Sequence, residues 1–228
     1  MSQAENKLLS LPKISKKKDL VNTLFQRVYY INMGKDTDRN DHMLAFLKQH
    51  NIFNYRRVQG QSVDYKQVDP MLYRNFNERD EKYVNGQLGC RQGHLMAIQD
   101  AKDNNYNRIL ILEDDIESIA LHWSDLIEIN IANFELFDMM YFGGLVEQHY
   151  RNQITLGHAY GLDQIIYDDI LAMAGPSGME IDNFYAKIIQ HMSRNDRPGG
   201  QYVVKRIEPF NTIVQRQDKF GSNIQQIE

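Results

Sequence analysis

Three carboxylates stand in a row at Glu113, Asp114 and Asp115, directly after the apolar run Arg108-Ile109-Leu110-Ile111-Leu112. Adjacent like charges repel, so each must stay hydrated or find a cation. A hard divalent ion with oxygen ligands answers that need. Magnesium or manganese held there would bridge the carboxylates to a substrate diphosphate and act as a Lewis acid on a departing phosphate. The competing reading is a solvated turn, because aspartate is common in turns. Spacing alone leaves the two level, and it does not separate the several enzyme classes that hold a metal against a phosphate.

Position favours the metal. The run before the triplet is continuously apolar rather than alternating, which predicts a strand buried on both faces of a central sheet. Around it, strands and helices alternate. Arg27–Asn32 reads as a strand, Asp38 or Thr37 caps a helix reaching about His50, and Arg56–Gly60 reads as a second strand. Residues 63–85 are polar and tyrosine-rich and read as a long loop with one irregular helix. Gly89–Lys102 reads as a helix, Trp123–Ala132 as another, and Asp138–Phe142 as a strand closed by Gly143-Gly144. His158-Ala159-Tyr160 is a short aromatic stretch. Asp163–Ala172 and Ile181–His191 read as helices, with a turn at Gly175–Gly178 between them. Gln201–Ile207 reads as a late strand. The alternation predicts an α/β domain with a mostly parallel sheet. In such sheets ligands bind beyond the carboxyl ends of the strands, which is where the triplet stands.

The 228 residues suit one large domain, read as residues 27–228 after a polar and basic extension over 1–26 that contains Lys16-Lys17-Lys18. Hydrophobic residues at 42% supply a core. A formal net charge of -4 excludes a nucleic-acid binder driven by phosphate attraction. The single cysteine, Cys90, cannot form an internal disulfide and reads as a small packing residue. No run is long and apolar enough to span a membrane, and a cytoplasmic protein is expected.

Seven motifs then fall in the order of one family. They are Tyr30-Ile31-Asn32-Met33 with Asp38-Arg39, Gly89-Cys90-Arg91-Gln92-Gly93-His94, Leu110–Asp115, Asp138–Gly143, His158-Ala159-Tyr160, Ile181-Asp182, and Gln215 with Ser222-Asn223-Ile224. Together they resemble glycosyltransferase family 25, the group of lipooligosaccharide and collagen galactosyltransferases. The resemblance implies a single-domain glycosyltransferase A-type (Rossmann-like) fold, manganese or magnesium, a UDP-sugar donor, and inversion at the anomeric carbon. It also implies a glycan or protein hydroxyl as acceptor; self-association stays open. Two positions depart from the family pattern: Gly93 stands for a serine, and Asn223 for an aspartate.

Roles follow within that resemblance. Asp115 is the first choice for the metal, with Asp114 beside it and Glu113 reaching the metal or the donor ribose. Asn32, at a strand end, can reach a uracil or ribose edge. Arg39 either pairs with phosphate or makes an ordinary ion pair. His94 either hydrogen-bonds the donor sugar or is a satisfied buried histidine, and His158 is similar. Tyr160 stacks on a sugar or fills the core. Gln215 carries over from the family as a donor-site residue. Asp182 is the candidate general base, against a plain helix N-cap. The other readings kept open are an inactive sugar-nucleotide or glycan-binding relative and a sugar nucleotidyltransferase.

Overall fold

A computed structural model describes residues 20–77, 80–118, 122–147, 153–191, 201–208, 210, 213–216 and 219. The chain opens with a short helix α1 (Leu20–Leu24), then β1 (Arg27–Met33), α2 (Thr37–Gln49) and β2 (Tyr55–Gly60). Two 3-10 turns lead into the long helix α3 (Glu81–Asp103). There follow β3 (Arg108–Glu113), β4 (Ile116–Ser118), α4 (Trp123–Ile129), β5 (Met139–Glu147) and β6 (Gln153–Asp163). The last elements are α5 (Tyr167–Ser177), α6 (Ile181–Lys187), β7 (Val204–Arg206) and β8 (Ile213–Gln215).

Six strands form the central sheet in the order β2-β1-β3-β6-β5-β7. β1 pairs in parallel with β2 and β3, and β5 pairs in parallel with β7. Only β6 runs against its neighbours β3 and β5. The fold is therefore the expected mostly parallel α/β domain. A separate two-stranded ribbon, β4 with β8, lies just beyond the triplet.

β3 shows why the apolar run is continuous. Ile109 and Ile111 join one core cluster with Ala97 and Ile98 of α3, Ile170 of α5 and Phe184 of α6. Leu110 and Leu112 join the opposite cluster with Leu20, Met43, Leu47, Trp123 and Phe142. A strand covered on both faces needs apolar side chains at every position. Trp123 stacks on Phe142 at 4.8 Å between ring centroids, fixing α4 against the sheet.

Several expected boundaries move. α1 lies inside the span read as an extension, yet Leu20, Val21 and Leu24 are buried in the core. α3 begins at Glu81, eight residues before the expected Gly89, because the Asp80 side chain caps it by accepting from the Tyr83 amide at 2.9 Å. The long loop shrinks accordingly. The aromatic stretch at His158–Tyr160 is the middle of an 11-residue strand, β6. Its polar and glycine residues hid it, because Gly157, Gly161 and His158 do not read as strand formers. The helix expected to reach Ala132 stops at Ile129 and continues as a 3-10 turn, and the one expected to reach His191 stops at Lys187. α5 runs through the expected turn to Ser177 and ends on Gly178, which takes φ 68°.

Candidate functional site

β1 and β3 run side by side, so their carboxyl ends bring Asn32 and the acidic triplet together. Asn32 Nδ2 donates to Asp114 Oδ2 at 2.7 Å, and Arg39 Nη1 donates to Asp114 Oδ1 at 2.6 Å. Arg39 is 8% exposed and stands on the first turns of α2, where β1 hands the chain over to that helix. It also lies 3.6 Å from Asp115 Oδ2. Both oxygens of Asp114 are thus engaged by protein groups, and Arg39 faces the triplet.

Asp115 differs. It is 3% exposed, and its Oδ1 is buried with no hydrogen-bond partner among the described residues. Burial, with Glu113 next, pushes its carboxyl up to about 7. Burial and Asp114 likewise push Glu113 up to about 7, against the pull of Arg39. Glu113 Oε2 accepts from Gln215 Nε2 at 2.6 Å. Three carboxylates against one guanidinium leave an excess of negative charge with an empty oxygen pointing into it. That donor set fits a hard divalent cation, which would relieve the repulsion that raises both groups. Asp115 Oδ1 is the oxygen left for it, while Glu113 Oε1 lies 3.6 Å from His94 Nε2.

The triplet is backed by the ribbon. The Arg216 amide donates to the Asp115 carbonyl at 2.7 Å, and Arg216 also pairs with Glu117. His158 Nε2 contacts the Ile213 carbonyl at 3.1 Å. His158 is therefore a buried brace between β6 and β8. Gly143 lets this happen, since a Cβ there would meet the Ile213 carbonyl oxygen at 2.2 Å.

In front of the triplet lies a cavity of about 600 Å³. Asn32, Glu113 and Asp114 form its floor, Cys90 and His94 one wall, and Lys35, Gln61, Ser62, Lys82 and Asn85 its remaining sides. Those last five were missed in the sequence. Lys35 and Lys82 bring cations to an acidic cavity, and Asn85 sits within the stretch read as loop but belongs to α3. The hidden signal was Asp80 followed by Glu81, an N-cap and first-turn acid.

His94 is fully buried. Its Nδ1 lies 2.6 Å from the Tyr160 hydroxyl, which lies 3.0 Å from that of Tyr185. Burial lowers its imidazole to about 4, so it is neutral near pH 7. Tyr160 is core, stacked on His94 at 5.6 Å, and holds the histidine from behind. Asp182 stands in the first turn of α6, while Glu180 occupies the N-cap position. Asp182 Oδ1 accepts from the Gly157 amide at 2.9 Å. Burial, then the Glu113 charge, push its carboxyl up to about 6. It does not line the cavity but shares electrostatic contact with Glu113 and His94.

The Gly93 departure has a packing cause: a Cβ there would come within 2.8 Å of Ile31 Cγ2. Helix and strand approach too closely for the family's serine. Asn223 lies outside the described residues.

Comparisons with known proteins bear on this site. No curated protein matches the chain. Among solved structures, A197 from STIV is similar at 13% identity over 71% of this chain and 76% of that one, with a TM-score of 0.39. A glycosyltransferase involved in the glycosylation of the major capsid of PBCV-1 is similar at 10% identity, covering 78% and 80%, with a TM-score of 0.44. A candidate glucose-1-phosphate thymidylyltransferase from Bacillus anthracis, in complex with a sucrose, is similar at 11% identity, covering 89% and 96%, with a TM-score of 0.47. The family model described as "Glycosyltransferase family 25 (LPS biosynthesis protein)" matches residues 25–156, more than half of the 228. That span includes β1, α3, the triplet, the whole of β5 and the start of β6, and the chain belongs to glycosyltransferase family 25.

Proposed function

We propose that this chain is a metal-dependent inverting glycosyltransferase that moves galactose or glucose from a UDP-sugar to a hydroxyl of a glycan or hydroxylated protein. The observation that carries the reading is the unbalanced acidic floor: Glu113 and Asp114 line a cavity of about 600 Å³, and the next residue, Asp115, keeps a buried Oδ1 without a hydrogen-bond partner among the described residues. A cavity of that volume suits a nucleotide-sized ligand. Manganese or magnesium held at Asp115 would supply Lewis-acid stabilisation of the leaving diphosphate.

The chain's own groups do the rest. Asn32 presents an amide at the end of β1 and keeps Asp114 in place. Lys35 and Lys82 line the cavity as counter-charges for phosphate. Arg39 pairs with Asp114 and so fixes the floor. Gln215 orients Glu113 from the far side. Asp182 removes the proton of the attacking hydroxyl. A carboxyl raised to about 6 is ionised near neutral pH and more basic than an ordinary aspartate.

Incubation with UDP-galactose and UDP-glucose in the presence of manganese tests the reading. UDP release that requires the cation, with an anomeric configuration inverted in the product, is the expected result. UDP binding without turnover of any donor, or uridylyl transfer from UTP to a sugar phosphate, would overturn it.

A further inference from the structure

Cys90 and His94 are four residues apart on α3 and share one helical face. Glu113 ends β3 opposite them. One ligand atom from each of the three lies within 4.8 Å of the others. All three line the same cavity, so an ion can reach them from solvent. The fully buried His94 has an Nε2 with no hydrogen-bond partner among the described residues, and the Glu113 Oε1 atom lies 3.6 Å from it. A buried nitrogen left unpaired is costly. The ring's other nitrogen is held by Tyr160, itself held by Tyr185. A partner on one ring nitrogen is what aims the other at a metal.

We propose that Cys90, His94 and Glu113 form a second cation site, separate from Asp115, that takes zinc or another thiolate-seeking divalent ion. Thiolate and imidazole select zinc over magnesium or manganese, which prefer oxygen. In a tetrahedral zinc site, nitrogen and oxygen ligands stand about 3.4 Å apart, close to the His94–Glu113 spacing. Rotation about the Cys90 side chain brings in the sulfur. The fourth position opens to the cavity and takes water. On binding, the Cys90 thiol loses its proton to solvent as the zinc–sulfur bond forms, with no change of oxidation state. Nδ1–H of His94 donates to the Tyr160 oxygen, leaving the Nε2 lone pair for the ion. Zinc there engages Glu113 and His94 on the donor wall, so zinc and a sugar nucleotide exclude each other. That last consequence rests on the proposed function; the site itself does not.

Cobalt is the probe. The chain has one cysteine, so a thiolate-to-cobalt charge-transfer band can arise from Cys90 alone. Titration of the reduced, metal-free full chain is expected to give a band that saturates at one equivalent and is displaced by zinc. The band should be absent in Cys90→Ser, persist in Asp115→Asn, and need at least about tenfold more cobalt in His94→Gln. Circular dichroism confirms that the variants fold, and Cys90→Ser with Asp115→Asn decides the matter if His94→Gln does not. No band in the native chain, or a band lost in folded Asp115→Asn, would overturn the site. UDP binding is measured in parallel. Its failure with the band intact counts against the donor reading alone, and the reverse counts against the zinc site alone.

Discussion

Replacing Asp115 by asparagine removes a buried carboxyl that the half-buried Glu113 repels. Carrying Asp115 from 3.8 to about 7 costs the ionised folded state about 4 kcal/mol, at about 1.4 kcal/mol per pH unit. Burial is the largest cause and Glu113 the next; a buried asparagine still loses hydration, so about half of that figure, about 2 kcal/mol, is the expected gain for Asp115→Asn without metal. The sign follows from proton linkage. A carboxyl whose folded pKa is raised favours folding in acid and loses that contribution as pH climbs from the unfolded value through about 7. The gain should therefore be full at about pH 7.5 and nearly absent at about pH 4.5, where both forms are neutral when folded. For a chain of this length about 2 kcal/mol corresponds to roughly 4–8 °C in Tm. Scanning calorimetry of both proteins at both pH values, with and without millimolar manganese, is the assay. Manganese at 100 times its Kd should stabilise the native chain by about 2.7 kcal/mol and leave Asp115→Asn unmoved. An equal destabilisation at both pH values, or an unchanged manganese response in the variant, would refute the electrostatic reasoning.

Further outcomes follow from the same geometry. Asp182→Asn should lower transfer about 10²- to 10⁴-fold while UDP affinity, read by calorimetry, stays within about twofold. In the native enzyme kcat should rise with pH through about 6 as Asp182 loses its proton, and that limb should vanish in Asp182→Asn. Arg39→Ala leaves Asp114 buried with one partner and should cost about 3–5 kcal/mol by urea unfolding. Gln215→Leu removes a charge-assisted bond to Glu113, and manganese affinity should fall about tenfold or more in a thermal titration. Gly93→Ser forces a Cβ against Ile31 and should cost about 1–3 kcal/mol.

The sheet and the triplet were legible because both rest on local pattern. β3 is apolar throughout since both of its faces are covered, and charge begins where the strand leaves the core. β6 was not legible beyond its centre, because its glycines are there for close approach to Phe25 and Asp182 and not for strand propensity. The site divides the same way. Asn32, His94, Glu113 and Asp114, each singled out from the sequence, line one cavity. What the sequence could not express is which partner each group takes. Arg39 and Asp114 hold each other, Tyr160 serves His94 from within the core, and His158 braces β8. These pairings join residues 55–75 or more positions apart, so no spacing rule carries them. Cys90 packs against the core as expected. The metal role proposed for it depends on His94 one turn away and Glu113 on another element, which a lone thiol in a sequence does not reveal.

The ribbon of β4 and β8 has a consequence in time. Glu113 is held by Gln215, and Asp115 by the Arg216 amide, each about a hundred residues downstream. During synthesis the sheet can assemble β1, β2 and β3 long before residue 215 leaves the ribosome. Through that interval the three carboxylates lack their backing strand, and their repulsion opposes closure of the loop. Ordering of the acidic floor is thus deferred until the segment around residue 215 arrives. A nascent protein carries the triplet without yet carrying the site.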